Sequence, residues 1–123
     1  MIRLLAFGCD RTAFRSRRSS LEAAGIQAVG AETEPSAHAR LRARRFDVVT
    51  IGAGVSLEER NRLALVAKSR HKARIIFLYR GSVFKAELAD ALLSADVSTE
   101  DLISTIERLA GKAGKARAWQ SAG

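Results

Sequence analysis

Residues 46–52 read Phe46-Asp47-Val48-Val49-Thr50-Ile51-Gly52, and this stretch decides the fold. Residues 48–51 are all β-branched, a composition that favours a β-strand. The glycines of Gly52-Ala53-Gly54 then end the run. A short apolar run bounded by turn residues is typical of a strand that is buried on both faces of a parallel sheet. The stretch therefore predicts a central parallel strand over 46–51.

Four more apolar runs and four helical patterns flank this strand. The runs over 4–7, 26–29, 74–78 and 91–93 predict the other strands. Helices are expected over about 12–24, from Thr33-Glu34-Pro35 onward, after a capping box at Ser56-Leu57-Glu58-Glu59, and after Ser98. Asp10 is predicted to cap the first helix and Gly25 to end it. Between 81 and 90, Phe84 and Leu88 permit one short helix.

Strands that alternate with helices imply a parallel sheet with right-handed crossovers and helices on both faces. At 123 residues, the simplest choice is the α/β flavodoxin-like three-layer sandwich with strand order 2-1-3-4-5, its fourth helix short or irregular. We expect a domain over 1–110. The small, basic segment 111–123 lacks an apolar stripe and is expected to be a loose tail.

Composition limits the partners and the location. Lysine plus arginine number 21 and aspartate plus glutamate 13, so the formal net charge is 21 − 13 = +8, which favours acidic partners. The single cysteine, Cys9, excludes an internal disulfide and a zinc site built from cysteines. No apolar run approaches the ~20 residues of a membrane span, and the apolar start is too short for a signal peptide. We expect a cytoplasmic protein.

Several phrases of the chain resemble the receiver (CheY-like) family of bacterial response regulators. Residues 46–52 match the family's third-strand phrase, and Ile75-Ile76-Phe77-Leu78-Tyr79 matches its fourth-strand phrase. Ser98-Thr99-Glu100-Asp101-Leu102 matches the start of its last helix. The resemblance covers roughly residues 1–110 and implies the receiver fold and a part in two-component signal transduction or a phosphorelay.

The resemblance also implies that the phosphorylation pocket is degenerate. The family's acidic pair, which binds magnesium, falls on Gly8 and Cys9, with only Asp10 adjacent. The phosphoacceptor aspartate is replaced by Gly52, the fourth-strand hydroxyl residue by Tyr79, and the fifth-strand lysine falls near Ala95. One carboxylate is a poor magnesium site, and glycine offers no nucleophilic oxygen. We therefore expect a stand-alone pseudo-receiver without metal, cofactor or enzymatic activity, with Arg80 as a speculative substitute for the lysine.

Arginines carry the other signal. Arg11, Arg15, Arg17 and Arg18 flank or occupy the first helix and form a candidate patch for a protein partner: a kinase, a phosphotransferase or a regulator. In the expected fold the first and last helices share one side of the sheet, and the second helix, with Arg40, Arg42, Arg44 and Arg45, lies on the opposite face. Receivers usually dimerise on a face that contains a full helix between the fourth and fifth strands. That segment is short in this sequence, so we expect a monomer or a weak homodimer.

Alternatives stay open at this point. The net charge also suits a nucleic-acid-binding domain, although the chain lacks a known reading motif. The crevice near Gly8, Cys9, Gly52 and Tyr79 suits a small-ligand sensor. Cys9 itself is interpreted as a small buried hydrophobe, with a reactive thiolate as the alternative. Gly52-Ala53-Gly54 lacks the third glycine of a dinucleotide fingerprint, since that position is Leu57.

Overall fold

A computed structural model describes residues 1–81 and 86–122, with side chains described as far as Gly111. It contains a five-stranded parallel sheet, and the predicted strand order is confirmed as β2-β1-β3-β4-β5. The strands are β1 (Ile2–Phe7), β2 (Ile26–Ala31), β3 (Val48–Ile51), β4 (Arg74–Tyr79) and β5 (Ala91–Ser94). The run over 46–52 forms the central strand, as expected.

Four helices connect or follow these strands in the described part of the chain: α1 (Arg11–Ala23), α2 (Glu34–Ala43), α3 (Leu57–His71) and α4 (Thr99–Ala122). The predicted caps are present. Asp10 Oδ1 accepts from the Thr12 N–H at 3.1 Å, and the Ser56 hydroxyl accepts from the Glu59 N–H at 3.2 Å. These oxygens satisfy N–H groups that a helix start leaves without an intrahelical partner. Gly25 follows α1 with φ +80°, the left-handed conformation that favours glycine.

The sheet separates two apolar layers. On one side α2 and α3 bury Leu41 and Leu63 against β3 residues such as Val49. On the other side α1 and α4 bury Leu21 and Ile106 against alternate strand residues. The expected placement of α1 and α4 on one face is therefore confirmed. Since successive strand residues point to opposite faces, the central strands are largely apolar on both faces, with Thr50 of β3 as a buried polar exception.

The connection from β4 to β5 is short, and in 80–81 and 86–90 it forms no helix. Residues 82–85, which include Phe84 of the predicted short helix, lie outside the described residues. Asp90 returns the chain to the sheet. Its Oδ2 accepts from the Ile75 N–H and from Lys68 Nζ, each at 2.7 Å. These two bonds hold the entry of β5 against β4 and α3.

The chain's last segment differs from expectation in its backbone. Helix α4 continues to Ala122, through residues for which the sequence predicts a loose tail. Alanine, lysine and arginine have high helix propensity, so the segment can stay helical without an apolar stripe. The side chains of 112–123 lie outside the described residues, and the domain boundary at 110 stays a prediction. Among the described residues, no helix combines the length and the hydropathy that a bilayer crossing requires.

Candidate functional site

The positions predicted to correspond to a phosphorylation pocket lie at the carboxyl ends of the strands. The register pairs Phe7 with Ile51 and Tyr79 with Ser94, the last residues of their strands. Because the strands are parallel, the residues that follow them all lie at this end of the sheet. A cavity of about 620 Å³ opens there on the side of α1 and α4. We call it the strand-end cavity, and five predicted positions line it: Gly8, Cys9, Asp10, Gly52 and Ala95.

Tyr79 shares the edge but does not line this cavity. Its neighbour Leu78 does, together with Leu102 of α4. Successive strand residues point to opposite faces of the sheet, so Tyr79 lies on the same side as Phe77, toward α2 and α3. Tyr79 is the last residue of β4, and the alternation of the strand keeps its ring away from the cavity.

Gly52 is packed so tightly that it has no room for a side chain. A Cβ built on Gly52 would overlap the carbonyl oxygen of Gly8, and it would lie 2.6 Å from the Gly8 carbonyl carbon and 3.0 Å from the Cys9 nitrogen. These are backbone atoms, which cannot rotate away as a flexible side chain can. The N–H of Gly52 also donates to the carbonyl of Phe7 at 2.8 Å. The loop after β1 therefore occupies the space in which an acceptor side chain would begin.

The loop after β3 closes the same junction from the other direction. Gly8 has φ +65°, and a Cβ on it would overlap Cγ2 of Val55. Val55 is held in turn by Arg60, whose Nε donates to the Val55 carbonyl at 2.9 Å. Arg60 is only 3% exposed, and its guanidinium carbon lies 5.5 Å from the centre of the Phe77 ring. The two loops thus interlock through Gly8, Gly52 and Val55.

Cys9 lies in the wall of the cavity as a neutral thiol. Its Sγ lies 3.8 Å from the Phe7 carbonyl oxygen and 4.0 Å from the Thr50 hydroxyl. Burial raises the pKa of the Cys9 thiol, and this effect outweighs the opposing hydrogen bond from Thr50 and the charge of Arg17. A protonated thiol is a poor nucleophile, so the geometry favours the small-hydrophobe interpretation over a reactive thiolate.

The acidic groups of the cavity do not fit a receiver's magnesium ion. Asp10 and Asp96 are the carboxylates in its lining. Asp10 is exposed and already accepts from the N-terminus of α1. Throughout the described residues, no group of three or more histidine, cysteine, aspartate and glutamate side chains is placed to hold a metal. Magnesium prefers several oxygen ligands in a near-octahedral shell, and this edge does not supply them.

The sequence interpretation missed Thr50 and the part that Arg17 has in the cavity. Arg17 is half-buried, and its Nη2 donates to the Val97 carbonyl at 2.7 Å, which ties α1 to the loop before α4. Thr50 could have been recognised from the sequence, since it is the polar residue of an otherwise apolar strand. Arg80, suggested as a substitute for the lysine, is exposed and does line the cavity.

The arginines divide differently from the expected patch. Arg11, Arg15 and Arg18 recur at spacings of four and three and share one face of α1, whereas Arg17 lies on another. These three line a second cavity of about 610 Å³, together with Arg40 of α2 and Arg44, the C-cap residue of that helix. We call it the β2-edge groove. The structure thus differs from expectation in two respects: Arg17 leaves the patch, and arginines from the opposite face of the sheet join it.

Comparison with known proteins identifies the fold. No protein-family model matches the chain, and no curated protein is significantly similar to it. Solved structures are similar over nearly its whole length. A CheY-like receiver domain from Methanospirillum hungatei is 21% identical with a TM-score of 0.76, covering 94% of this chain and 98% of that one. A receiver domain from Clostridium thermocellum is 17% identical with a TM-score of 0.77, covering 94% and 99%.

A receiver domain of a Francisella response regulator gives the same result, with 18% identity, a TM-score of 0.77, and coverage of 92% of this chain and 99% of that chain. The chain therefore has the CheY-like receiver fold that the resemblance implied. At these identities the comparison establishes architecture, and the chemistry of the strand-end cavity must be argued from its own residues.

Proposed function

We propose that this receiver-fold protein is a pseudo-receiver, which acts in two-component-type signalling through protein contacts and without aspartyl phosphorylation. The observation that carries the proposal is the contact between Gly52 and the Gly8 carbonyl, which closes the acceptor position. In this proposal the protein is cytoplasmic, performs no catalysis, and signals by being bound.

The rest of the cavity supports the same conclusion. Phosphoryl transfer needs a nucleophilic oxygen and cations that stabilise the charge on the moving group. Gly52 has no side chain, and Cys9 is kept protonated by burial. Arg80 is the one cavity cation without an ion pair or hydrogen bond among the described residues, and it is exposed. The pocket therefore lacks an acceptor side chain at position 52 and a preorganised charge partner for a phosphoryl group there.

The experiment is incubation of the full chain with acetyl phosphate and magnesium, read by intact mass. A receiver with its acidic pair and acceptor aspartate, treated in parallel, shows that the donor is active. We expect no added phosphoryl mass on this chain while the control gains it. An adduct that is lost in mild acid or hydroxylamine, as an acyl phosphate is, would overturn the proposal.

The strand-end cavity favours a second candidate function, the sensing of a small ligand. Its floor is apolar, with Leu4, Leu78 and Leu102, and its rim is polar, with Asp10 and Arg80. Its volume lies within the range of ligand pockets, ~300–1,000 Å³. A thermal-shift screen of metabolites tests this, since a ligand of the folded state raises the melting temperature. Leu78→Trp, which fills the floor, should abolish any such shift.

A further inference from the structure

The edge of the sheet formed by β2 has free hydrogen-bonding groups. The carbonyls of Gly25 and Ala31 accept from the Ile2 and Gly8 N–H groups of β1. Since consecutive strand residues direct their backbone groups to opposite sides, odd-numbered residues of β2 face β1. The N–H and C=O groups of Ala28 and Gly30 therefore face away from the sheet, where the described residues supply no further strand.

This edge also lacks the usual protection. Natural edge strands are blunted by lysines, prolines or bulges, because a bare edge invites another chain to pair with it. The sequence of β2, Ile-Gln-Ala-Val-Gly-Ala, has neither charge nor proline, and its six residues pair with β1 without interruption. The protection comes instead from the arginines that flank the edge in the β2-edge groove.

Those arginines lie on both sides of the sheet. Arg15 belongs to α1, whose buried face packs with β2 residues Ile26 and Ala28 on one side. Arg40 belongs to α2, whose Leu41 packs on the other side, and Arg44 is the C-cap residue of that helix. The groove also contains Glu22 and Glu32, so five arginines and two glutamates give 5 − 2 = +3.

The two glutamates neutralise only part of this charge. Glu32 pairs with Arg11 at 2.9 Å and Glu22 with Arg18 at 3.2 Å. In the described part of the chain Arg15, Arg40 and Arg44 have no ion pair, and all three are exposed. One unpaired arginine therefore lies on the α1 side of the edge and two on the α2 side.

We propose that the β2 edge docks an extended acidic segment of a partner protein, which adds a strand to the sheet. Side chains of an added strand would point alternately toward α1 and toward α2. Carboxylates at both odd and even positions of the added strand (its two parities) would then lie near Arg15 on one side and near Arg40 and Arg44 on the other. The proposal deepens the proposed function, on which it rests for the premise that the chain acts through a protein partner.

The same groove fits nucleic acid less well. A nucleic-acid strand has no alternating N–H and C=O groups to pair with the edge, and Glu22 and Glu32 would repel phosphates. Single-stranded binders also add exposed aromatic rings on which bases stack. The groove's aromatic residues are Phe46, which is buried, and Phe14, whose Cε1 would lie 3.3 Å from a Cβ on Gly30. Phe46 is therefore closed to bases, and Phe14 is half-buried against Gly30, so the groove has no fully exposed aromatic ring.

The experiment measures binding of a fluorescein-labelled acidic peptide by anisotropy. The peptide has about eight residues, enough to span β2, with glutamates at both parities among valines and threonines. Two further peptides have the same side chains but carry N-methyl groups on alternate residues, one on each parity. We expect the parent to bind, one methylated peptide to bind at least about tenfold more weakly, and the other to match the parent, because only one parity faces the edge.

Charge reversal on the protein gives the second arm. Arg15→Glu combined with Arg40→Glu removes one free arginine from each side of the edge, and we expect at least about tenfold weaker binding. Arg70→Glu combined with Arg108→Glu makes the same change in net charge at exposed positions of α3 and α4, and should have little effect. Since all four side chains are exposed, we expect the variants to fold, as circular dichroism can verify.

Three results would overturn the inference: no binding of the parent peptide, equal affinity of all three peptides, or equal losses in the two double variants. A single-stranded oligonucleotide that binds with a steep salt dependence, and loses binding in the Arg15/Arg40 variant while the peptide does not bind, would assign the groove to nucleic acid. None of these results changes the outcome of the acetyl phosphate experiment, so the two proposals fail separately.

Discussion

The carbonyl oxygen of Gly8 lies so close to Gly52 that the Cβ of any other residue at position 52 would overlap it. The two residues belong to loops that follow neighbouring strands, β1 and β3, and the Gly52 N–H bonded to Phe7 holds them together. An acceptor aspartate at 52 therefore requires the backbone of the β1–α1 loop to move. The packing around Gly52 therefore supports the proposal that position 52 does not accept a phosphoryl group.

Gly52→Ala should destabilise the protein by at least about 2 kcal/mol, because the added methyl group meets backbone atoms in a closed junction. Gly54→Ala is the matched control two residues away, since a Cβ there meets nothing within 4 Å. Its free energy of unfolding should change by less than about 0.5 kcal/mol. Urea unfolding measures both, and equal stabilities of the two variants would contradict the closed junction.

Gly52→Asp should likewise fail to restore phosphorylation.

Arg60→Met should cost about 1–3 kcal/mol. The substitution keeps an unbranched side chain against Phe77 but removes the donor to the Val55 carbonyl, which leaves a polar group without its partner. Arg70→Met, at an exposed position of the same helix, controls for the change of residue type. Hydrogen exchange of the loop over 52–56 should increase in Arg60→Met alone. Unchanged exchange there would show that Arg60 does not hold this loop.

Glu34 should make the stability of the protein depend on acid pH. The Arg62 guanidinium, which donates to its carboxylate at 2.8 and 2.7 Å, lowers the pKa of Glu34 from 4.5 to about 2, with help from His38. A depressed folded-state pKa stabilises the protein above the unfolded value and loses that contribution as pH falls through the folded one. The stability gap between wild type and Glu34→Gln should be full above about pH 5 and should close toward pH 2.

Urea unfolding of wild type and Glu34→Gln at several pH values measures this stability gap. Glu107→Gln, at an exposed position of α4, is the control for replacing a carboxylate by an amide. A gap between wild type and Glu34→Gln that is constant with pH would show that the contact between Arg62 and Glu34 contributes nothing to folding.

Cys9 should react slowly with iodoacetamide in the native protein near neutral pH. The thiolate is the nucleophile, and burial raises the pKa of the Cys9 thiol. Alkylation in urea, where this effect is lost, should be at least about tenfold faster at the same pH. Mass spectrometry over time compares the two states. Rapid alkylation of the folded protein would instead favour the reactive-thiolate interpretation.

Local chemistry accounts for what could be predicted from the sequence alone. The caps at Asp10 and Ser56, the β-branched run over 48–51 and the apolar stripe of α4 each depend on residues a few positions apart. The alternation of strands and helices along the chain also favours the observed strand order, because right-handed crossovers allow few orders of strands in a parallel sheet. The glycine at position 52 was likewise visible in the sequence, at the end of the run that resembles the third-strand phrase of receivers.

Only the tertiary structure decided which distant groups meet. The Gly8 carbonyl lies against Gly52 because two parallel strands end at the same level, and nothing local to either glycine encodes that contact. The arginines of α1 and α2 lie near one another because β2 is the outermost strand, so helices on opposite faces of the sheet meet around its edge. Spacing along a chain determines the face of one helix, whereas distances between elements depend on how the whole sheet packs.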